Sequence, residues 1–224
     1  MLPRTAAAGH APVPGIAAPC GVFLSSAQLE TLEALCASFV PGPPRDPDPG
    51  AREAGVHEYI DRLLGAFTAR PPRIFAGGPF SHRDGGGHNA FADFIELDAL
   101  EERIWRTRIE GSRGLPEREW NGPVVGLQER YTRGLARLEQ HSARWFGRRF
   151  ARLTGWQRGL LFRFAPSELA SFLDLAFRQT LEGMYGAPEY GGNRGRVGWR
   201  YTRWPGDHQP QPYTRKEISH RDPE

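Results

Sequence analysis

The side chains best suited to bind a metal ion are two histidines in one glycine-rich loop. His82 and His88 flank Asp84 and the run Gly85-Gly86-Gly87. A structural zinc site normally needs four converging ligands, so the pattern favours a solvated loop over a metal site in a free-standing metal-dependent enzyme. The glycine run is not typical of a phosphate loop, because no Lys-Ser/Thr pair follows it and no apolar strand precedes it.

Other groups with reactive side chains also lack the pattern of a catalytic or cofactor site. Glu101 and Glu102 are adjacent and point apart on a helix, which favours a solvated acidic face. Cys20 and Cys36 are too few for a disulfide framework or an iron–sulfur cluster, and Cys36 falls on the apolar face of a predicted helix. A flavin-binding Rossmann unit needs alternating strands and helices, and this sequence shows no such alternation. We therefore expect no catalytic residue, no metal and no cofactor in this chain.

One dense basic region lies in the second half of the chain. It comprises Arg130, Arg133, Arg137, Arg144, Arg148, Arg149 and Arg152. Nucleic-acid binding is one interpretation, but Glu129 and Glu139 interrupt the region and the net charge of the chain is only +3. The sequence favours a solvated or partner-pairing helix face, and we expect no nucleic-acid partner.

The C-terminal part of the chain combines glycine pairs with aromatic residues outside any regular periodicity. Glycine lets the backbone approach another surface closely, and Trp and Tyr supply large contact areas with polar tips. This pattern predicts a partner-docking segment, although the same aromatic residues could instead cover the chain's own core. The predicted interface residues are Tyr185, Tyr190, Gly191, Gly192, Asn193, Gly198, Trp199, Trp204, Pro205 and Tyr213.

The length and composition are those of one globular domain with long loops. The chain has 224 residues with 20 Pro and 27 Gly. We expect a disordered lead over 1–22, a helical domain over 23–189 and an extended aromatic tail over 190–224. The lead contains no twin arginine and no continuous apolar core, and no stretch of about 18 apolar residues predicts a membrane span. This predicts a cytoplasmic protein; a periplasmic or other extracytoplasmic location is the alternative if a partner carries an export signal.

Periodicity and capping signals predict an all-α fold with long Pro/Gly-rich loops. Capping-box spacing occurs at Ser25 with Gln28 and at Thr154 with Gln157. Apolar residues then recur at helical spacing, and no convincing strand pattern occurs. The predicted helices run from Ser25 to before Pro41, from Val56 to Phe67, from about Asp98 to Ile109, from Leu127 through a kink near His141 to Phe150, from Thr154 to Phe162, and from Pro166 to Gly186.

Several short motifs occur in an order that resembles the gluconate 2-dehydrogenase subunit 3 family. The resemblance extends from about Leu24 to Tyr213, and its most specific part is the C-terminal group of motifs. The motifs are Leu-Ser-x-x-Gln at 24–28, Val-Pro at 40–41, Gly-Ala-Arg-Glu-Ala-Gly-Val at 50–56, Trp-Arg at 105–106, Ile-Glu-Gly-Ser at 109–112, Gly-Leu-Gln at 126–128 with Tyr131 and Gly-Leu at 134–135, Gly-Met-Tyr-Gly at 183–186, Tyr-Gly-Gly-Asn at 190–193 and Gly-Trp at 198–199.

The resemblance implies a non-catalytic small subunit that binds, stabilises and helps mature an FAD-dependent dehydrogenase of the glucose-methanol-choline type. It implies a hetero-oligomer in which the large subunit holds FAD, oxidises a sugar, sugar acid or glycoside, and passes electrons to an acceptor such as a cytochrome. A transient assembly or export chaperone of that flavoprotein is the alternative. Many relatives carry a twin-arginine signal on the small subunit, and this sequence departs from them in that respect.

Overall fold

The computed structural model describes residues 21–70, 72, 74 and 96–204, and within them the regular secondary structure is helical. The all-α prediction is confirmed for this part of the chain. The α-helices are α1 (Ser26–Phe39), α2 (Val56–Leu64), α3 (Ala99–Glu110), α4 (Leu127–Phe146), α5 (Gly155–Arg163), α6 (Ser167–Tyr185) and α7 (Val197–Tyr201). Short 3-10 helices lie at Ala66–Thr68, Pro116–Arg118, Phe150–Arg152, Pro188–Tyr190 and Arg194–Arg196.

Side-chain caps determine where three of the helices begin. At the start of α1, the Ser25 amide donates to Gln28 Oε1 at 3.0 Å and the Gln28 amide donates to Ser25 Oγ at 3.4 Å. Thr154 and Gln157 form the same reciprocal pair before α5, at 2.9 and 3.3 Å. Both capping boxes predicted from the spacing are therefore confirmed, and a further box opens α3.

The core forms where α6 contacts α1, α2 and α4. Phe172 of α6 meets the fully buried ring of Tyr131 of α4 edge-on, with ring centroids 5.5 Å apart. Burial of each large apolar side chain contributes about 1.5–3 kcal/mol, so this face of α6 accounts for much of the stability of the helical body. As predicted, it includes Leu169, Phe172, Leu173, Ala176 and Met184.

A buried carboxylate attaches the segment before α1 to α2. Asp61 is 4% exposed and accepts the backbone N–H groups of Val22 at 2.5 Å, Phe23 at 3.0 Å and Leu24 at 2.7 Å. These hydrogen bonds compensate the cost of burying a carboxylate. Leu24 is fully buried as a result, directly before the cap of α1.

Two predictions about α4 are wrong. The helix is continuous through His141, where a kink was expected, and it does not extend to Phe150. Gly147 ends it with a left-handed φ of 63°, a conformation that glycine adopts at little cost. Ser142 Oγ then donates to the Arg148 carbonyl oxygen at 2.7 Å and secures the turn.

One arginine joins α5 to α1. Arg158 donates from Nη1 to the Ala34 carbonyl oxygen at 3.2 Å and to Ser38 Oγ at 3.1 Å, and from Nη2 to the Ala151 carbonyl oxygen at 2.9 Å. Its guanidinium lies 5.1 Å from the centre of the Phe150 ring. Burial lowers the pKa of Arg158, but guanidinium remains charged in proteins. A cation near the C-terminal carbonyl groups of α1 is favourable for the helix dipole.

The loop between α3 and α4, residues 111–126, is closed at its base. The Ser112 amide donates to the Val124 carbonyl oxygen at 3.0 Å, and the Val124 amide donates to Ser112 Oγ at 3.0 Å. Arg118 pairs with Glu110 at 3.0 Å. These contacts define a compact Ω-type loop whose Trp120 is 75% exposed.

The predicted helix from Asp98 is present as α3, but its apolar residues are not all covered. Leu100 is 52% exposed and Ile104 is 57% exposed, whereas Ile109 is fully buried. Periodicity predicts that a helix forms, but which of its sides is covered depends on the packing of distant elements.

Candidate partner interface

The C-terminal end of α6 is the point at which the predicted interface residues come together. An α-helix leaves its last four carbonyl groups without partners inside the helix. Gly186 ends α6, as predicted, and its amide donates to the Glu182 carbonyl oxygen at 2.7 Å. Other carbonyl groups in this last turn accept hydrogen bonds from residues 190–204, which we call the latch.

Asn193 is the centre of the latch. It is fully buried and has a left-handed φ of 46°. Its amide donates to the Gly183 carbonyl oxygen at 2.7 Å, and its Nδ2 donates to the Gly186 carbonyl oxygen at 2.9 Å. Its Oδ1 accepts the amide of Gly198 at 2.9 Å. One side chain thus joins the end of α6 to the beginning of α7.

Two glycines allow the backbone of the latch to approach α6 closely. A Cβ atom at Gly192 would overlap the carbonyl oxygen of Gly183, and one at Gly198 would overlap the carbonyl oxygen of Met184. A larger residue at either position would push the latch away from the helix end. The sequence feature that predicted close approach to a partner therefore serves close approach within this chain.

Trp199 closes the latch over the last turn of α6. It is 7% exposed, and its Nε1 donates to the Tyr185 carbonyl oxygen at 2.7 Å. The Trp204 amide donates to the Trp199 carbonyl oxygen at 2.7 Å, which holds the backbone at the end of the latch against α7. Trp199 therefore covers this chain's own core, which was the alternative to contact with a partner.

Replacing Trp199 by Phe tests the contribution of this hydrogen bond. Trp199→Phe keeps an aromatic ring but leaves the Tyr185 carbonyl oxygen without the indole N–H donor. We expect the free energy of unfolding to fall by about 1–2 kcal/mol in urea denaturation followed by circular dichroism. Trp156→Phe is the control, because Trp156 is 72% exposed. Equal stability of the two variants would contradict the role of the indole N–H.

The latch also contacts α2 and the turn before it. The Arg194 amide donates to the Ala54 carbonyl oxygen at 3.0 Å, and the Arg194 side chain pairs with Glu58. Partial burial raises the pKa of Glu58, but the hydrogen bond and charge of Arg194, together with His57 and Arg62, outweigh burial and lower the pKa below its usual value. Glu58 is thus ionised at neutral pH and holds the latch against α2.

The outer surface of the latch is rich in arginine and aromatic side chains. Tyr201 is 56% exposed, Trp204 is 52% exposed, and three arginines beside them are exposed. We call this surface the rim; it consists of Arg196, Arg200, Tyr201, Arg203 and Trp204. Tyr, Trp and Arg are the side chains in which binding energy is most often concentrated at protein interfaces. The rim thus exposes side chains of the types common at protein interfaces, while the core beneath it stays covered.

The structure separates the predicted interface residues into groups. Gly192, Asn193, Gly198 and Trp199 are buried within this chain, whereas Trp204 is exposed on the rim. The side chains of Tyr185 and Tyr190 and the backbone at Gly191 are partly buried around the same helix end. Pro205 and Tyr213 lie outside the described residues. No partner chain is present, so the proposed contact with a partner stays a prediction for all of them.

Of the predicted extended tail, 190–224, the structure describes residues 190–204. This stretch forms the 3-10 helix Arg194–Arg196 and the short α7, with left-handed residues between them. Asn193 and Gly195 have φ values of 46° and 61°, which turn the chain back toward α6.

Sequence reasoning missed four members of the rim: Arg196, Arg200, Tyr201 and Arg203. A signal for them was present, because residues 193–204 contain four arginines and no acidic residue. The region singled out instead, around α4, is paired in part: Arg133, Arg137, Arg149 and Arg152 have carboxylate partners among the described residues, whereas Arg130, Arg144 and Arg148 have none. Arg149 binds Glu30 at 2.6 Å, and Arg133 binds Glu129 at 2.5 Å. This pairing supports the solvated-face interpretation of that region over nucleic-acid binding.

A groove of about 640 Å³ lies between α1 and α2. Its acidic residues already have partners: Glu30 pairs with Arg149, Glu33 pairs with Arg52, and Asp61 accepts the backbone amides before α1. His57 borders the groove, and burial is the main cause that lowers its pKa, so the imidazole is neutral at neutral pH. The charged side chains that line the groove are thus paired within this chain, and they do not converge on a common point as catalytic groups would.

Reactive side chains elsewhere in the described residues have structural surroundings. Cys36 is buried, as predicted, and burial raises the pKa of its thiol to about 12, which makes it a poor nucleophile. No group of three or more potential metal ligands occurs among these residues, and none of their helices has the length and hydropathy of a membrane span. Cys20 and the loop with His82 and His88 lie outside this part of the chain.

A protein-family model described as gluconate 2-dehydrogenase subunit 3 matches residues 26–206. The match begins with α1 and continues through the latch, so it covers most of the chain. No curated protein and no solved structure matches the chain.

Proposed function

Because the chain belongs to the gluconate 2-dehydrogenase subunit 3 family, we propose that it is the non-catalytic small subunit that binds, stabilises and helps mature an FAD-dependent dehydrogenase. Family membership indicates an accessory subunit of a dehydrogenase complex. The finer assignment, to a flavoprotein of the glucose-methanol-choline type that oxidises a sugar, sugar acid or glycoside, is part of the proposal.

The division of labour follows from the proposal. The large subunit holds FAD and carries out the oxidation, and its electrons pass to an acceptor such as a cytochrome. The small subunit contributes a folded surface and no reacting group. Its effect on the partner is thermodynamic, because a chain that binds only the folded flavoprotein shifts that protein's folding equilibrium toward the native state.

The observation that carries the proposal is the rim on a latch that contacts within this chain hold in place. Asn193 and Trp199 hold the latch by hydrogen bonds to the last turn of α6. A preorganised surface loses little conformational entropy on binding, which favours stable association. Exposed Tyr201 and Trp204 supply the large side chains that such an interface needs.

Co-expression tests this function. The chain would carry an affinity tag and be expressed with the flavoprotein encoded beside it, and the eluate would be analysed by visible spectroscopy and size-exclusion chromatography. We expect a yellow complex in which both chains co-elute, and soluble flavoprotein whose yield falls when the small subunit is omitted. Cell fractionation of the same strain would locate the complex, with the cytoplasm expected and the periplasm as the outcome if the partner carries an export signal.

Two results would contradict this assignment. A colourless chain that elutes alone, together with flavoprotein that is equally soluble without it, would remove the basis for a subunit. Flavoprotein that needs the small chain to fold but elutes without it would identify the second candidate, a transient assembly or export chaperone.

A further inference from the structure

The rim has an excess of positive charge that this part of the molecule does not neutralise. Arg196, Arg200 and Arg203 are exposed, and residues 193–204 include no acidic residue. Glu58, the carboxylate held against the latch, already pairs with Arg194 and lies 3.6 Å from Arg62. The rim arginines are therefore exposed and have no carboxylate partner among the described residues.

Some exposed arginines elsewhere in the molecule have a carboxylate partner on their own helix. Arg178 of α6 pairs with Asp174 at 3.0 Å, and Arg133 of α4 pairs with Glu129 at 2.5 Å. Others, such as Arg103 and Arg130, are exposed without an ion pair among the described residues. The rim combines three arginines of this second kind with two exposed aromatic side chains within residues 196–204.

The backbone of the rim is held in an unfavourable conformation. Arg196 has a φ of 58° and Arg203 a φ of 56°, a region that residues with a Cβ atom seldom occupy. Such conformations persist where the surrounding structure enforces them, and they occur preferentially at functional sites. Here the surrounding structure is the latch, which fixes the positions from which these two arginines extend.

We propose that the rim docks on a carboxylate-rich surface of the flavoprotein subunit, with Tyr201 and Trp204 as apolar anchors and Arg196, Arg200 and Arg203 as charge partners. This inference rests on the proposed function. Its occupant follows from charge complementarity: guanidinium groups that have no carboxylate partner among the described residues can bind carboxylates in bidentate geometry, and neighbouring aromatic side chains can exclude water from such contacts. Long-range attraction between the two surfaces also accelerates their association.

A charge reversal tests the rim. Arg200→Glu would be compared with Arg178→Glu, a control with the same charge change at an exposed helical arginine. We expect Arg200→Glu to raise the Kd for the flavoprotein roughly tenfold or more at low salt, mainly through slower association, and the difference to shrink at high salt. Arg178→Glu is expected to leave the Kd within about twofold of the wild-type value. Thermal unfolding of both variants would verify that the full chain remains folded.

A second pair of variants tests the aromatic anchors. Trp204→Ala is expected to accelerate dissociation from the flavoprotein, whereas Trp156→Ala, which removes a side chain of 72% exposure on α5, is expected to leave dissociation unchanged. Equal binding of the Arg200→Glu and Trp204→Ala variants and the wild type would overturn the rim as the docking surface while leaving the subunit function intact.

The remaining outcomes separate the two proposals. A wild-type chain that does not bind the flavoprotein overturns both. Binding of duplex DNA that Arg200→Glu abolishes, with flavoprotein binding unchanged, would assign the rim to a nucleic acid. A change of oligomeric state in Arg200→Glu without an effect on flavoprotein binding would assign it to a contact between copies of this chain.

Discussion

Asn193→Ala is expected to lower the free energy of unfolding by about 3–4 kcal/mol. The substitution removes the Nδ2 donor of the Gly186 carbonyl oxygen and the Oδ1 acceptor of the Gly198 amide. A buried polar group that loses its partner costs about 1–3 kcal/mol. The left-handed φ of 46° adds about 1 kcal/mol, because alanine tolerates this conformation less well than asparagine.

Two companion variants separate these contributions. Asn193→Gly accepts the left-handed backbone but makes no side-chain hydrogen bond, so its loss should be about 1 kcal/mol smaller than that of the alanine variant. Asn193→Asp keeps the acceptor for Gly198 but places a carboxylate oxygen against the Gly186 carbonyl oxygen. The free energy of unfolding would be measured by urea denaturation, and the slope of its dependence on urea concentration should be the same in all variants. If the alanine variant lies within about 1 kcal/mol of the wild type, the latch does not depend on this side chain.

The second large effect is expected at Asp61. In Asp61→Ala the amides of Val22, Phe23 and Leu24 lose their common acceptor. Hydrogen bonds to a charged group contribute about 1.5–3 kcal/mol each, but the amide of exposed Val22 recovers a bond to water. We therefore expect the free energy of unfolding to fall by about 3–4 kcal/mol. Asp61→Asn should cost about 2 kcal/mol, because its amide nitrogen would replace one accepting oxygen and face a backbone N–H group.

An exposed aspartate provides the control for Asp61. Asp174 is 59% exposed and makes an ion pair with Arg178 on its own helix, so Asp174→Asn should change the stability by no more than about 0.5 kcal/mol. Hydrogen exchange would locate the effect, with faster exchange of the Phe23 and Leu24 amides expected in Asp61→Asn. Protection of these amides at the wild-type level would show that other contacts hold this segment.

Helix starts and the main core face were predictable from the sequence because their causes are local. A capping box needs only the polar pair at its fixed spacing, as at Ser25 with Gln28. The buried face of α6 follows from apolar residues that recur at helical spacing. Gly147 is also a local signal, since glycine often ends a helix. The apolar residues that follow it nevertheless led to a predicted helix that continued to Phe150.

The latch was predictable as a special segment but not in its role. The glycines and aromatic residues around Asn193 identified the segment, yet their partners Gly183 and Ala54 lie elsewhere in the chain. Sequence patterns reveal that a glycine permits close approach, and they do not reveal which surface is approached. The same limit applies to α3, where the exposure of Leu100 and Ile104 depends on elements far from it in sequence.

The latch has a consequence for the order of folding. Arg194 lies 136 residues from Glu58, its partner on α2, and contacts of such long sequence separation form late because their loops must close first. The rim acquires its shape only when the last turn of α6 and the beginning of α2 have already met. A partner that recognises the rim would therefore select subunits whose slowest contacts are complete, so that assembly itself would act as a checkpoint for correct folding.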